Sequence, residues 1–306
     1  MTYTVFIHTN AKQQVGAQVA AHALKRNSGR PDAFAVRILS REDYPFFEAY
    51  EGRPFLRAGA RRKWTNGDLQ SFTPLRFAPP QLMGYEGRAV VIDPDVFAVG
   101  DVMELFELDM QDKAIFARPR PGHNKRADYV ATSVMLLDCS RLRHWNLERN
   151  FDELFRFVRD YDDWITLALE PRESIGFLAP EWNDFDRLTP STRFVHNTKR
   201  RTQPWKTGLP VDYTNRIPIP FVARLIGSDG VRLPMRYKPH PDPRQEQYFF
   251  RLLGECLDQG LISEAFLRME MARNHVRHDA FEVLSRLPVV GAPGVAAAAP
   301  PKVSAA

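Results

Sequence analysis

Cysteine is scarce in this sequence, which holds two among 306 residues. Cys139 and Cys256 cannot build a disulfide framework, and neither stands in a CxxC or Cys/His zinc spacing. Long apolar segments are also missing, because no run approaches the roughly 18–20 residues that a bilayer-spanning helix needs. The chain begins directly with a strand pattern, so we expect no signal peptide. These absences favour a cytoplasmic protein without a transmembrane segment, and they leave open a peripheral position at the inner face of a membrane.

The excess of one charge sign over the other is also small. Lys and Arg number 42 against 37 Asp and Glu, which gives a formal net charge of +5. A protein dedicated to nucleic acid usually carries a stronger and clustered basic bias, so we expect no nucleic-acid partner. Hydrophobic residues make up 44% and charged residues 26% of the chain. This balance is typical of a globular protein with a sizeable core.

The beginning of the chain alternates between strand and helix patterns. Tyr3 to Ile7 has the β-branched and aromatic content of a strand, a helix pattern starts at Ala11, and a second strand pattern covers Ala33 to Leu39. A strand–helix–strand unit of this kind predicts a parallel sheet, and hence an α/β fold. The later strand candidates are Gly87 to Ile92, residues 114–117 and residues 129–138.

Helices are predicted in the middle and at the end of the chain. Phe72 to Tyr85 has a helical pattern that two prolines interrupt, and Trp145 to Trp164 reads as one helix. Near the C-terminus, Asp242 and Ser263 are typical helix caps, the second for a helix that runs to about Arg277. The fold we expect is therefore a mostly parallel central sheet followed by a C-terminal helical extension.

Residues 51–72 carry five cations among three glycines. The pattern predicts a loop, which is either solvated or a lid that contacts a phosphate or an acceptor. We divide the whole chain into an α/β domain over 1–210, a Pro-rich segment with C-terminal helices over 211–288, and an Ala/Pro tail over 289–306. The tail lacks apolar periodicity and is expected to be disordered.

Two carboxylates follow the apolar run that ends at Ile92. Asp93 and Asp95 are separated by Pro94, which fixes its own φ and stiffens the turn. Carboxylates at the C-terminal end of a buried parallel strand lie where open α/β sheets bind ligands. Hard oxygen ligands suit Mn²⁺ or Mg²⁺, which in turn hold diphosphate oxygens. The spacing alone favours an ordinary surface turn, because Asp-x-Asp often occurs by chance.

A second candidate segment runs from His196 to Lys206. A histidine after a strand-like pair is followed by three consecutive cations, beginning at Lys199, and then by Pro204-Trp205. An imidazole on a metal ion with cations beside it would stabilise a departing diphosphate. The alternatives are a structural histidine, a solvated basic loop and a tryptophan that packs in the core.

These segments together resemble family 8 of the glycosyltransferases, retaining enzymes of the GT-A fold that use nucleotide-sugar donors. The resemblance covers roughly residues 1–210. Four stretches carry it: Phe72 to Val102 around the Asp-x-Asp pair, Tyr129 to Asp138 as the strand that lines the sugar pocket, Trp182-Asn183 as the acceptor-side motif, and His196 to Lys206 as the His…Pro-Trp motif.

The resemblance implies a role for each matching position. Asp93, Asp95 and His196 correspond to the metal ligands, with Mn²⁺ or Mg²⁺ as the cofactor. Asp162 and Asp163 correspond to the polar pair beneath the donor sugar and are the catalytic candidates. The nucleotide-sugar contacts that we predict are Asn10, Arg76, Pro94, Ser133, Lys199 and Lys206.

The sequence departs from the family pattern at three places. Ala131 stands where the family has an Asn, and the His motif is one residue longer, with Lys199 in place of its Gly. Gln203 stands where a Lys normally precedes Pro-Trp, so Lys199, Arg200 or Lys206 would have to supply the diphosphate cation.

The resemblance implies a metal-dependent retaining hexosyltransferase with a nucleotide-sugar donor, which we expect to be UDP-linked. The acceptor is unknown and could be a glycan, a lipid-linked glycan or a protein. The alternative is a catalytically silent nucleotide-sugar-binding or interaction protein on the same fold, which the departures favour. A metal-dependent phosphohydrolase would need more metal ligands than the sequence offers.

Overall fold

The computed structural model describes residues 3–121, 129–213, 215–216, 230–231 and 235–287. Its strands are β1 Tyr3–Thr9, β2 Ala35–Ser40, β3 Pro54–Arg57, β4 Ala60–Lys63, β5 Arg88–Ile92, β6 Val96–Ala98, β7 Ile115–Arg120, β8 Tyr129–Asp138, β9 Ile175–Phe177, β10 Asp184–Phe185, β11 Phe194–His196, β12 Asn215–Arg216 and β13 Gly230–Val231. Its α-helices are α1 Gln14–Arg26, α2 Pro79–Leu82, α3 Val102–Phe106, α4 Leu147–Phe155, α5 Tyr161–Ile165, α6 Pro243–Asp258, α7 Glu264–Ala272 and α8 Ala280–Arg286.

A central six-stranded sheet has the order β2-β1-β5-β8-β7-β9. β1 pairs in parallel with β2 and β5, and β7 pairs in parallel with β9, whereas β8 is antiparallel to both of its neighbours. Five strands therefore run in one direction and only β8 opposes them. The α/β fold with a mostly parallel central sheet and C-terminal helices, which the sequence predicts, is confirmed.

Alternate residues of the central strands enter two separate cores. Along β5, Val90 and Ile92 pack with α1 and α3, whereas Ala89 and Val91 pack on the opposite face with α4 and α5. All four side chains are buried, as expected for a strand that helices cover on both faces. The C-terminal helices share the first of these cores, where Phe249 of α6 is buried.

A smaller sheet with the order β10-β11-β6 stands beside the central one. β6 starts immediately after the Asp93-Pro94-Asp95 turn, and β11 pairs with it so that His196 lies opposite Val96. This register brings the histidine of the second candidate segment to the carboxylates of the first. None of the helices in the described ranges is long and apolar enough to span a bilayer.

The segment over 51–72 is not only a loop. It holds the antiparallel hairpin β3–β4, whose turn places Ala58 and Gly59 at positive φ. Two arginines of the hairpin lie over aromatic rings, Arg57 over Tyr161 and Arg61 over Phe157. The sequence pattern hid the hairpin because a run of cations does not show which guanidinium groups lie over aromatic rings.

Three helix predictions need smaller corrections. The region from Trp145 to Trp164 forms two helices, α4 and α5, because Phe157 between them adopts a φ of 61°. Pro79 and Pro80 do not interrupt a helix but occupy the first turn of α2. Ser263 caps α7 through the backbone N–H of Phe266, yet α7 ends at Ala272 and α8 follows. The predicted tail lies outside the described residues.

Candidate functional site

The Asp93-Pro94-Asp95 turn rests directly on α1. Pro94 is buried, and a Cβ atom added to Gly16 of α1 would lie 2.6 Å from the Pro94 carbonyl oxygen. Only a glycine lets the helix approach this closely. The position of both carboxylates is therefore fixed from below by a helix that follows the neighbouring strand β1.

Asp93, Asp95 and His196 form a cluster of potential metal ligands. Each offers one ligand atom, and these three atoms lie within 4.8 Å of one another. His196 Nε2 is 3.3 Å from Asp95 Oδ1, and the backbone N–H of Asn197 donates to the carbonyl oxygen of Asp95 at 3.1 Å. The structure brings together all three residues that the sequence assigns to the metal.

The ring of His196 is oriented from behind by Asn183. Asn183 is fully buried, its Nδ2 donates to Ser133 Oγ at 2.9 Å, and its Oδ1 is 2.8 Å from His196 Nδ1. The amide oxygen accepts the Nδ1 proton, which leaves the lone pair of Nε2 directed at the carboxylates. Ser133 also accepts the backbone N–H of Asp93 through its carbonyl oxygen at 3.0 Å. His196 thus has the supporting hydrogen-bond partner that a metal-binding histidine needs, and that partner is itself held by Ser133.

Two basic groups hold Asp93. His8 Nε2 and Arg76 Nη2 lie 2.7 Å and 2.6 Å from the same oxygen, Oδ1. Burial by itself raises the pKa of the Asp93 carboxyl, but Arg76 and His8 outweigh it, so the pKa lies below its usual range. Burial also lowers the pKa of His8. Arg76 also donates to Thr132 Oγ1 on β8 at 2.5 Å. In this structure its guanidinium group therefore binds Asp93 and β8.

His8 is a site residue that the sequence analysis missed. It lies at the end of β1, two positions before Asn10, and its side chain is completely buried. Its Nδ1 atom has no hydrogen-bond partner among the described residues. The signal that could have found it is its position at the carboxyl end of a central strand, the same edge at which Asp93 follows β5.

Gln203 contacts the second carboxylate. Its Nε2 donates to Asp95 Oδ2 at 3.0 Å, and Gln13 Nε2 donates to Gln203 Oε1 at 3.4 Å. Gln203 is 2% exposed, so this contact is shielded from water. The residue that replaces a lysine of the family pattern therefore fixes a metal-ligand carboxylate.

The predicted diphosphate cations lie in two different environments. Lys206 is completely buried, with Nζ 2.6 Å from Asp212 Oδ2, and burial lowers its pKa although Asp212 opposes this effect. Lys199 is exposed, and its backbone N–H donates to Asp186 Oδ1 at 3.3 Å. Next to it, Arg200 Nη2 donates to Gln70 Oε1 at 2.5 Å. Of these three predicted cations, Lys199 and Arg200 lie on the surface and Lys206 lies in the interior.

Asp162 and Asp163 lie in the first turn of α5. Asp162 Oδ1 accepts from Arg57 Nε of the hairpin at 2.9 Å. Asp163 is exposed. Its slight desolvation raises the pKa of its carboxyl, and the negative charges of Asp160 and Asp162 raise it further. No contact between these two catalytic candidates and the metal-ligand cluster is found among the described residues.

The side chain of Asn10 is fully engaged within the protein. Its Nδ2 faces the carbonyl oxygens of Asp68 and Leu69 at 3.3 Å and 3.2 Å and Ser71 Oγ at 3.3 Å, and its Oδ1 accepts the backbone N–H of Lys12. A pocket of about 90 Å³ lies beside this segment. Ligand sites typically measure about 300–1,000 Å³, so this pocket is too small for a nucleotide as it stands. Its lining residues are Phe55, Arg57, Lys63, Trp64, Thr65, Asp68, Gln70, Ser71 and Tyr161.

No protein-family model matches the chain, and no curated protein matches it in sequence. Among solved structures it is similar to the galactosyltransferase LgtC in complex with donor and acceptor sugar analogues, at 16% identity and a TM-score of 0.45, over 67% of this chain and 89% of that one. It is similar to the glycosyltransferase GlyE of Streptococcus pneumoniae, at 15% identity and a TM-score of 0.48, over 85% of this chain and 64% of that one. Mouse xyloside xylosyltransferase 1 is similar at 16% identity and a TM-score of 0.41, over 65% of this chain and 98% of that one.

Proposed function

We propose that the protein is a metal-dependent retaining glycosyltransferase of family 8 type, which moves a hexose from a UDP-linked donor to an acceptor in the cytoplasm. The observation that carries this proposal is the cluster of Asp93, Asp95 and His196, whose ligand atoms lie within 4.8 Å of one another after a buried strand. Open α/β sheets bind nucleotides at this edge. The order and spacing of the sequence motifs support the same assignment.

Mn²⁺ suits the cluster better than Mg²⁺ does. Two carboxylates are hard oxygen ligands that either ion accepts, whereas an imidazole nitrogen is a ligand that transition ions take more readily. When bound, the ion would supply the positive charge that stabilises a departing diphosphate. The residues that would hold it are Asp93, Asp95 and His196.

The chain's own residues prepare these three ligands. His8 and Arg76 keep Asp93 ionised and occupy its Oδ1. Asn183 keeps the Nε2 lone pair of His196 directed at the cluster. Because these partners are already in place, binding an ion requires little rearrangement of the side chains that hold it.

The donor would extend from the cluster toward Asn10, with Ser133 on the sugar side. In the transfer, an acceptor hydroxyl oxygen becomes bonded to the anomeric carbon, and the bond from that carbon to the diphosphate oxygen breaks. Retention requires the new bond to lie on the face that the diphosphate leaves, either by same-face attack or through a covalent carboxylate intermediate. The diphosphate keeps the electron pair, and the hydroxyl proton passes to its oxygen or to solvent. Lys199 and Arg200, on the loop after His196, are the cations available to the diphosphate. Asp163 is the exposed carboxylate that we assign to the sugar.

A catalytically silent nucleotide-sugar-binding protein is the second candidate. The observation that favours it is the placement of the polar groups in the His…Pro-Trp motif. Gln203 replaces a lysine and turns inward to Asp95, and Lys206 is paired with Asp212 in the interior. Such a protein would bind the donor and the ion but would not transfer the sugar.

Calorimetry with UDP and Mn²⁺ tests the property that both candidate functions share, which is binding of the metal ion and the nucleotide. We expect the parent protein to bind UDP only in the presence of Mn²⁺, and Asp95→Ala to abolish this binding because too few ligands remain. Asp112→Ala is the matched control, since this carboxylate is 98% exposed and stands outside the cluster. UDP binding by Asp95→Ala equal to that of the parent would refute the metal assignment.

Turnover separates the two candidates. With UDP-glucose or UDP-galactose and Mn²⁺, a transferase releases UDP by slow hydrolysis of the donor even without its acceptor, and Asp163→Asn should reduce this release. A silent binder releases none above the rate of the Asp95→Ala variant. Binding without UDP release would therefore select the silent protein.

A further inference from the structure

A second and larger cavity lies on the other side of β8 from β5. It measures about 610 Å³, within the range of about 300–1,000 Å³ that is typical of ligand sites. Its walls come from the ends of β7 and β8, from β9 and from the residues that follow α5. The lining residues are Pro119, Arg120, Pro121, Tyr129, Val130, Thr166, Leu167, Ala168, Glu170, Arg172, Ile175 and Phe177.

Most of these walls are apolar, and part of the apolar surface is open to solvent. Phe177 is 63% exposed, and Leu169, the neighbour of the lining residue Ala168, is 47% exposed. The exposed ring of Phe177 on the cavity wall costs free energy in water, and an apolar ligand that covers it would recover part of that cost. The cavity therefore favours a ligand with an apolar chain or ring.

The charged lining residues define the other part of the ligand. Glu170 is internally satisfied, because its Oε1 accepts from Trp145 Nε1 and its Oε2 lies beside His144 Nε2, both at 2.8 Å. The Arg120 guanidinium lies over the rings of Phe185 and Tyr129 at 4.6 Å and 5.5 Å, and no carboxylate of the described residues pairs with it or with Arg172. The charge that the cavity offers to a ligand is thus positive and calls for an anionic group.

The cavity is close to the candidate metal site along β8. Val130 lines the cavity, and Ser133 on the same strand contacts Asn183, which orients His196. The cavity and the metal site therefore border the same strand, β8, which has a register shift between Ala131 and Met135.

We propose that this cavity binds an amphiphile with an apolar chain and an anionic headgroup of the phosphate type. That this amphiphile is the sugar acceptor rests on the proposed function; the binding site itself does not. The apolar chain lies against Phe177 and Val130, and the headgroup is held by Arg120 and Arg172. Among the acceptor classes that the sequence leaves open, the cavity selects the lipid-linked one.

Dodecyl phosphate, used below its micelle-forming concentration, tests this proposal by calorimetry. We expect it to bind at least tenfold more tightly than dodecyl maltoside, which has the same chain without the charge, and inorganic phosphate not to bind measurably. Arg172→Gln should weaken dodecyl phosphate about tenfold or more, because a charge-assisted contact is lost. Arg187→Gln is the matched control, as an exposed arginine outside the cavity.

The apolar wall is tested in the same way. Phe177→Ser should weaken dodecyl phosphate severalfold, whereas Val158→Ser, which changes a residue 69% exposed outside the cavity, should leave its affinity unchanged. Both sites are exposed, so these variants are expected to fold, and circular dichroism checks that they do. Equal binding of dodecyl phosphate and dodecyl maltoside, or affinities unchanged in both Arg172→Gln and Phe177→Ser, would overturn the proposal.

The failure of this proposal can be told from failure of the proposed function. Arg172→Gln and Phe177→Ser should bind UDP with Mn²⁺ like the parent, and Asp95→Ala should bind dodecyl phosphate like the parent. A parent protein that binds dodecyl phosphate but not UDP keeps the cavity assignment and loses the glycosyltransferase assignment. A parent that binds UDP with Mn²⁺ but not dodecyl phosphate keeps the glycosyltransferase assignment and loses the cavity assignment.

Discussion

The two sides of the functional sheet edge are filled in opposite ways. On the side of β1 and β5, charged side chains pair with one another, and the pocket beside Asn10 has a volume of about 90 Å³. On the side of β7 and β9, a largely apolar cavity of about 610 Å³ is open, and Arg120 and Arg172 face it without carboxylate partners among the described residues. A ligand on the first side must exchange internal hydrogen bonds for its own. A ligand on the second side enters a preformed space.

This difference predicts how substitutions act. Where polar groups satisfy one another, removing one of them leaves its partner buried and unpaired, so the free energy of unfolding falls. Where a wall is exposed and unpaired, a substitution changes binding and leaves stability almost unchanged. Substitutions on the side of β1 and β5 should therefore lower the free energy of unfolding. Substitutions on the cavity side should change ligand affinity alone.

The largest effect is expected for Arg76→Met. Arg76 has a side chain 9% exposed and holds Asp93, whose side chain is 16% exposed. Removing one partner of a buried ion pair typically costs about 3–5 kcal/mol of unfolding free energy, and urea unfolding measures it. Arg156→Met is the control, because Arg156 is 66% exposed and its Nη1 lies 3.9 Å from Asp152. Equal losses in the two variants would mean that Asp93 does not depend on Arg76.

A smaller effect is expected for Gly16→Ala. The added methyl group would lie 2.6 Å from the Pro94 carbonyl oxygen, so the turn that carries both carboxylates must shift. We expect a loss of about 1–3 kcal/mol and weaker Mn²⁺ binding in calorimetry. Gly254→Ala in α6 is the control, since its nearest contact is Leu284 at 3.5 Å, and it should stabilise the helix by about 0.5–1 kcal/mol. A stabilising Gly16→Ala would contradict this account of the turn.

Much of the metal site follows from the sequence. The apolar run before Asp93 indicates a buried strand, and carboxylates after such a strand lie at the ligand-binding edge. The nearness of His196 follows only from the resemblance, because the pairing of β11 with β6 joins segments about a hundred residues apart, which no local pattern predicts. His8 escaped notice because a histidine at a strand end has no local signature of its partner.

The surroundings of the site were harder to predict, because the same residue types serve different environments. Lys206 belongs to a cluster that reads as a solvated basic loop, yet it is completely buried on Asp212. Gln203 differs from the family lysine, and only the structure shows that its amide reaches Asp95. The 610 Å³ cavity left no sequence signal, since its walls come from separate strands and loops.

Asp160 should show a modest and pH-dependent effect. It joins the hairpin turn to α5, because its oxygens accept the backbone N–H groups of Ala58, Gly59 and Asp162 at 2.8–3.0 Å. Burial raises its pKa, but these hydrogen bonds outweigh burial and lower it. A depressed folded-state pKa contributes stability above the ordinary value for Asp, and this contribution is lost as the pH falls through the depressed value.

We therefore expect Asp160→Ala to cost about 1 kcal/mol at neutral pH, as for other lost helix caps. The difference from the parent should shrink toward acid pH, which urea unfolding at several pH values measures. Asp109→Ala is the control, because within the described part of the chain Asp109 Oδ1 accepts just the exposed backbone N–H of Gln111. A cost that persists unchanged in acid would show that the carboxylate charge does not hold the hairpin.

The smallest change in stability is expected for Phe177→Ser, although it should weaken dodecyl phosphate. Burying a phenylalanine stabilises a protein when neighbours remove it from water, and Phe177 is 63% exposed. Its loss should therefore change the unfolding free energy by about 0.5 kcal/mol or less, close to the effect of Val158→Ser. A core phenylalanine typically costs about 3–5 kcal/mol when truncated. A loss of that size for Phe177→Ser would place this ring in the structural core. The apolar wall would then be explained by its contribution to stability, without any ligand. The contrast between the two sides of the sheet edge would therefore fail.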